Sequence, residues 1–144
     1  AGTTWPIRPS LKMPTVEGRV IGGEVELVCS PKTKSIHPMI EKYCHHYKYI
    51  IRAGEISATD GLPAMSSQQL DHPASIYRPN DPSATIWVQP CYEYFRDADI
   101  PPGPFLEDLV NHEANLVNAR ECARVAMLYG YRVSIQLHKL LGLE

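Results

Sequence analysis

The amino-acid sequence predicts an α/β protein with a parallel sheet, open or closed as a barrel. Three observations carry this expectation. Apolar runs of strand length recur four times, at 24–30, 47–54, 84–90 and 131–136. Helical segments fall between them at 37–47 and 105–130, giving the order strand, helix, strand, loop, strand, helix, strand. Each strand then breaks into small or polar residues at its carboxyl end. Apolar strands that alternate with helices favour a sheet buried on both faces, in which the strands run parallel. The 144 residues suit one domain with a real core.

Each element has a local reason. Residues 1–23 open with W-P-I-R-P-S-L-K-M-P, whose three prolines break regular structure, and E-G-R-V-I-G-G-E then predicts a turn or small hairpin. E-V-E-L-V-C-S, 24–30, is the first strand. H-P-M-I-E-K-Y-C-H-H-Y, 37–47, is a helix: Pro38 suits a first turn, and Ile40, Tyr43, Cys44 and Tyr47 recur at helical spacing. Y-K-Y-I-I-R-A-G, 47–54, is the second strand, with Tyr49 in the core. Residues 55–83 stay ambiguous, with S-S-Q-Q-L as a short helical turn. A-T-I-W-V-Q-P, 84–90, is the third strand, with Trp87 in the core. Residues 105–130 make the strongest helix, with Leu109, Leu116, Ala123 and Met127 on its apolar face and Gly130 as its stop. Y-R-V-S-I-Q is the fourth strand and delivers Gln136 and His138 at its end.

Composition narrows the function. Fourteen Lys and Arg against sixteen Asp and Glu leave a net charge of −2. That balance argues against a scaffold that grips nucleic-acid phosphates through a basic surface. No apolar run reaches the ~18 residues of a membrane helix, and no signal-peptide pattern opens the chain, so a cytoplasmic protein is expected. The four cysteines, Cys29, Cys44, Cys91 and Cys122, form no C-x-x-C and are read as reduced thiols. Thirteen prolines, about twice the usual ~5%, mark connections.

In parallel α/β folds, ligands sit outside the carboxyl ends of the strands. Ser30, Lys32, Gln89, Tyr92, Gln136 and His138 would therefore surround one cavity. The set is rich in hydrogen-bonding groups and poor in paired acids, which suits a polar heterocycle or nucleoside better than hydrolysis. Strands of any α/β protein also end in polar residues, because loops lie at the surface, and spacing alone leaves both alternatives open. Cys44, His45 and His46, with His37 upstream, read as an exposed helix and not a metal site, since neighbours on a helix point about 100° apart. Lys12 and Lys34 are solvated in this reading, and His112 and Glu113 belong to the polar face of the long helix.

These residues resemble a known family. The ending R-V-S-I-Q-L-H-K-L-L-G-L-E, residues 132–144, is similar to the ending of the 7-carboxy-7-deazaguanine synthase family. The strand-end S-P-K at 30–32 and Q-P at 89–90 follow in the family's order, and A-G-T-T at 1–4 resembles its E-T-x-G-T segment. The resemblance implies a partial (β/α) barrel of the radical S-adenosyl-L-methionine (SAM) type, with residues 1–144 as the C-terminal part of a single barrel domain. It implies a carbon–nitrogen lyase that converts 6-carboxy-5,6,7,8-tetrahydropterin to 7-carboxy-7-deazaguanine with loss of ammonia, a step towards queuosine. SAM, a [4Fe-4S] cluster and Mg2+ are the implied cofactors. A homodimer is the implied assembly, with no nucleic-acid or membrane partner. Carried over by position, Gly2, Ser30, Pro31, Lys32, Gln89, Pro90, Cys91 and Tyr92 contact SAM. Gln136, His138 and the Glu144 carboxylate contact the pterin.

One departure matters. Radical SAM chemistry needs three thiolates on one cluster, spaced C-x3-C-x2-C or, in this family, C-x14-C-x2-C. Cys29 and Cys44 reproduce the wide spacing, but Tyr47 stands where the third cysteine belongs. The expectation is that the cluster and magnesium ligands lie upstream of Ala1, that this portion holds no catalytic residue, and that alone it is inactive. The alternatives are a non-catalytic barrel remnant that binds SAM or pterin, and a generic α/β domain. The loops at 55–83 and 101–105 would cover the site or meet a partner.

Overall fold

A computed structural model of the chain describes residues 15–16, 19–20, 26–65, 75–95 and 109–141. Strands β1 (Thr15–Val16) and β2 (Arg19–Val20) pair antiparallel, Thr15 opposite Val20 and Val16 opposite Arg19. This is the small hairpin expected near E-G-R-V. The main sheet has four parallel strands in the order β3 (Val28–Cys29), β4 (His46–Ile51), β5 (Thr85–Pro90) and β6 (Arg132–Val133). Helices α1 (Pro38–Tyr43), α2 (His112–Tyr129) and α3 (Leu137–Leu140) complete the described elements. The chain is thus α/β, as its alternating pattern predicts. It divides into two compact units, one of residues 1–48 and 65–86, the other of 49–64 and 87–144. No helix among the described residues is long and apolar enough to cross a membrane.

In the first unit β3 and β4 pair with Val28 opposite His46 and Cys29 opposite Tyr47. Of the strand expected over 24–30, the described residues 26–30 are regular at 28–29. Helix α1 starts as Pro38 predicts: His37 caps it, its Nδ1 accepting from the Met39 N–H at 3.2 Å, and proline has no N–H to lose in the first turn. The helix does not run to Tyr47. It ends at Tyr43, and Cys44 is already extended, with φ −85° and ψ 126°. From there H-Y-K-Y-I-I is rich in aromatic and branched residues, and β4 buries alternate positions, Tyr47, Tyr49 and Ile51. Cys44 and Tyr47 are core residues, but of the strand and its entry and not of a helix face. Around them the Tyr77 hydroxyl donates to Glu41 at 2.7 Å, and the Tyr77 ring lies 5.9 Å from that of Tyr47.

In the second unit β5 and β6 pair with Trp87 opposite Arg132 and Val88 opposite Val133. Trp87 is only half-buried, and the Arg132 guanidinium lies 5.4 Å from its ring centre, so Val88 and not Trp87 supplies the core here. Helix α2 begins at 112, later than the predicted 105. Asn111 is its cap, accepting from the Ala114 N–H at 3.0 Å. Just before it, Leu109 and Val110 pair with the segment after β5: Tyr94 bridges Val110, and the Phe95 N–H donates to the Leu109 carbonyl at 2.6 Å. Gly130 ends the helix in the left-handed region at φ 71°, as expected.

The buried face of α2 differs from expectation. Leu116 is 52% exposed and Met127 81%, while Asn118, Cys122, Val125 and Ala126 are buried. Both sets have helical spacing, so periodicity alone does not separate them. Close approach does. A Cβ built at Gly61 would lie 2.9 Å from a Val125 methyl and 2.6 Å from the Tyr129 ring, so the loop residue must be small, and Val125 and Tyr129 mark the side of α2 that packs on this loop. The fourth strand is also shorter than predicted. It covers Arg132–Val133, and Gln136 and His138 belong not to the strand's end but to the cap and body of α3.

Candidate functional site

The second unit holds a cavity of about 280 Å³, near the small end of ligand pockets. Three pieces of chain build it. Pro90, Cys91 and Tyr92 follow β5. Asn115, Ala119, Cys122 and Ala123 come from α2. Val133, Ile135, Gln136 and Lys139 come from β6 and its continuation into α3. The walls are mostly apolar, with amides at Asn115 and Gln136. The Lys139 ammonium lies 4.9 Å from the centre of the Tyr92 ring and 6.0 Å from that of Tyr94, a cation–π contact. The two tyrosine rings meet edge-on, 5.3 Å between centres.

A polar frame holds the Cys91–Glu93 backbone. The Cys91 N–H extends the sheet by donating to the Ile51 carbonyl at 2.8 Å. Asn118, buried on α2, accepts from the Ala53 N–H at 2.9 Å and donates to the Cys91 carbonyl at 3.2 Å and the Glu93 carboxylate at 3.3 Å. Asn115 grips Glu93 at two points. Its Oδ1 accepts from the Glu93 N–H at 2.6 Å, and its Nδ2 donates to the Glu93 carbonyl at 3.1 Å. Arg52 closes the frame, its Nε 2.7 Å from Glu93 Oε1 and its other nitrogens near Glu55 and the Cys91 sulfur. Burial pushes the Cys91 thiol up and Glu93 adds to this, against the opposing pull of Arg52. Cys91 is therefore a neutral thiol near pH 7, and the Glu93 carboxyl group faces Arg52. Burial works against the guanidinium, but its Cys91 and Glu93 neighbours outweigh that and raise its pKa above the ordinary arginine value. Burial alone pushes Cys122 up to about 11.

The sequence-predicted residues divide as follows. Pro90, Cys91, Tyr92 and Gln136 come together around this cavity. Gln89 is buried in β5 and is not among the residues that line it. His138 is exposed and likewise outside the lining. In the first unit the Ser30 hydroxyl donates to the Lys48 carbonyl at 3.1 Å, tying the end of β3 to β4. Pro31 is buried beside it and Lys32 half-buried. Gly2 and Glu144 lie outside the described residues, as do Lys12, S-S-Q-Q-L and the 101–105 loop.

Sequence reasoning missed Arg52, Glu93, Asn115, Asn118 and Lys139. One signal was present: Asn111, Asn115 and Asn118 recur at helical spacing. Asparagine is a poor helix former unless its amide has a specific partner.

The donor set does not fit an iron–sulfur cluster, which takes several thiolates together. Cys44 and Cys122 are buried and Cys29 and Cys91 half-buried, and burial raises the thiols of Cys29, Cys91 and Cys122, which opposes thiolate formation. Among the described residues, no three His, Cys, Asp or Glu side chains are grouped to hold a metal ion.

No protein-family profile matches the chain, and no solved structure matches it. Over 120 residues, 83% of its length, the chain is 35% identical to the 7-carboxy-7-deazaguanine synthase of Rhodospirillum rubrum. That alignment takes in 46% of the relative, so the chain spans about half the length of the protein it matches. The resemblance read from the sequence thus has the support of an alignment over most of the chain, which is similar to 7-carboxy-7-deazaguanine synthase.

Proposed function

We propose that this chain serves the synthesis of 7-carboxy-7-deazaguanine from 6-carboxy-5,6,7,8-tetrahydropterin, with loss of ammonia, in a pathway to queuosine and related 7-deazapurines. The observation that carries the reading is the 35% identity to a synthase of that name, in a chain whose motifs stand in the family's order. In this reading SAM is a cofactor, and when bound it supplies the radical that takes a hydrogen from the substrate. The Pro90–Tyr92 segment fits a nucleoside: it offers an aromatic ring and apolar wall beside the amide of Asn115. Gln136, His138 and the Glu144 carboxylate belong to the pterin side, and Gly2, Ser30, Pro31, Lys32 and Gln89 to the SAM side. Since the described cysteines do not fit a cluster, the chain's own role is to bind, orient and exclude water. The same reading carries a partial radical SAM barrel and a cytoplasmic homodimer.

The test is a product assay. The natural protein that carries this sequence is prepared without air, supplied with iron, sulfide, Mg2+ and a reductant, and given SAM and the pterin. Formation of 7-carboxy-7-deazaguanine with matching ammonia release is the expected result. Absence of product, together with no retention of labelled SAM in equilibrium dialysis, would overturn the reading.

A further inference from the structure

The polar frame behind the Pro90–Tyr92 wall is more elaborate than a strand end needs. A β-strand that leaves its sheet at a proline can rely on water for its next amides. Here the backbone of two successive loops is held instead by one buried side chain. Asn118 takes the N–H of Ala53 after β4 and the carbonyl of Cys91 after β5. It also reaches the Glu93 carboxylate at Oε1, the same oxygen that Arg52 Nε holds at 2.7 Å. Neither Asn118 nor Arg52 is among the residues that line the cavity. Both act on residues that are, or on their immediate neighbour: the Arg52 guanidinium touches the Cys91 sulfur at 3.5 Å, and Asn118 fixes the Cys91 peptide.

We infer that Asn118 and Arg52 are positioning residues: together they set the height and tilt of the Cys91–Tyr92 wall against the ligand cavity, and the ligand that reads this wall is a nucleoside cofactor of the SAM class. The choice of ligand rests on the function proposed above, while the positioning rests on the hydrogen-bond geometry. A planar base stacked on a tyrosine needs that ring held to within a fraction of an ångström. A misplacement of ~1 Å is enough for a large loss. The frame supplies this without touching the ligand, by giving the wall partners on two loops and a helix. It also places a charged pair, Arg52 and Glu93, at the back of the wall, where a change in one partner is passed directly to residue 91 through the sulfur contact.

The test uses the natural protein that carries this sequence and measures the dissociation constants of labelled SAM and of the pterin separately by equilibrium dialysis. Asn118→Ala and Arg52→Ala should each weaken SAM about tenfold while the pterin changes by less than about twofold. Arg52→Lys, which keeps the charge towards Glu93, should recover most of the SAM affinity. Tyr131→Phe is the structural control. It removes a hydroxyl bond to the Asp60 carbonyl (2.8 Å) in the same unit, and should leave SAM affinity unchanged. Should Asn118→Ala fail to fold, Arg52→Ala, at a partly exposed residue, carries the test. Unchanged SAM affinity in Arg52→Ala would overturn the positioning role, and so would equal weakening of SAM and pterin. A wild-type protein that neither binds SAM nor forms product would overturn the proposed function, and with it the choice of ligand.

Discussion

Glu93 Oε1 lies 2.7 Å from Arg52 Nε, joining the loop after β4 to the loop after β5. Both side chains are partly exposed, 35% for Arg52 and 25% for Glu93, so solvent screens the pair. Glu93 also accepts from Asn118, so its removal loses more than one exposed ion pair. Glu93→Ala should therefore destabilise the protein by about 1 kcal/mol in low salt and by less at 1 M salt. Urea unfolding at the two salt concentrations checks this. A loss independent of salt would mean that packing, and not charge, carries the contact.

Asn118 is 3% exposed and makes three hydrogen bonds. Replacing it leaves the Ala53 N–H and the Cys91 carbonyl without this partner. Asn118→Ala should lower stability by about 1–3 kcal/mol, the usual range when buried backbone groups lose their partner. By contrast, Leu116→Ala, at an exposed position on the same helix, should change stability by less than about 0.5 kcal/mol. If Leu116 proved the more costly of the two, the buried face of α2 would be the one its apolar pattern suggests and not the one the structure shows.

How much of this was legible beforehand follows from the same helix. The order of strands and helices, Pro38 at the start of α1 and Gly130 at the end of α2 could all be read, because they depend on local geometry. Which stripe of α2 faces inward depends on how near the Gly61 loop comes, and no local rule contains that distance. Tyr47 stood in both the predicted helix and the predicted strand for a related reason: its spacing from Tyr43 is helical, and pairing with Cys29 decides for the strand. At the site, the motif residues Pro90, Cys91, Tyr92 and Gln136 do meet. The frame that holds them joins residues 52, 53, 91, 93, 115 and 118, which sequence distance keeps apart.

The function proposed here makes a claim on His138. In the natural protein that carries this sequence, His138→Ala should reduce pterin turnover by about tenfold or more while leaving uncoupled cleavage of SAM largely intact, since a lost substrate contact acts on that substrate alone. Parallel assays of 7-carboxy-7-deazaguanine and 5′-deoxyadenosine separate the two. Equal loss of both would remove His138 from the pterin side.

Two glycines with similar backbones should respond differently to alanine. Gly61 and Gly130 both sit in the left-handed region, at φ 69° and 71°. At Gly130 an added Cβ meets nothing within 4 Å, so Gly130→Ala carries only the backbone penalty of about 1 kcal/mol. At Gly61 the same Cβ would come within 2.6 Å of the Tyr129 ring and 2.9 Å of Val125, so α2 or its loop must shift. Gly61→Ala should cost about 1–3 kcal/mol more than Gly130→Ala. Comparable melting temperatures for the two variants would count against the close seating of α2 on that loop.

Cys122 gives the protein an alkaline limit. Its thiol is 1% exposed, and burial raises it from 9.0 to about 11. The folded state therefore holds this proton more tightly than the unfolded chain. That preference contributes stability in full below pH 9, and it is lost progressively as pH rises from about 9 to about 11. The contribution is about 3 kcal/mol. Melting curves of wild type and Cys122→Ala across that window isolate it. Cys122→Ala should be less stable at pH 8, because a buried side chain is lost, and the gap should narrow by pH 11. A gap that stays constant across the window would mean that the thiol ionises equally in both states, and that α2 does not seal it from water.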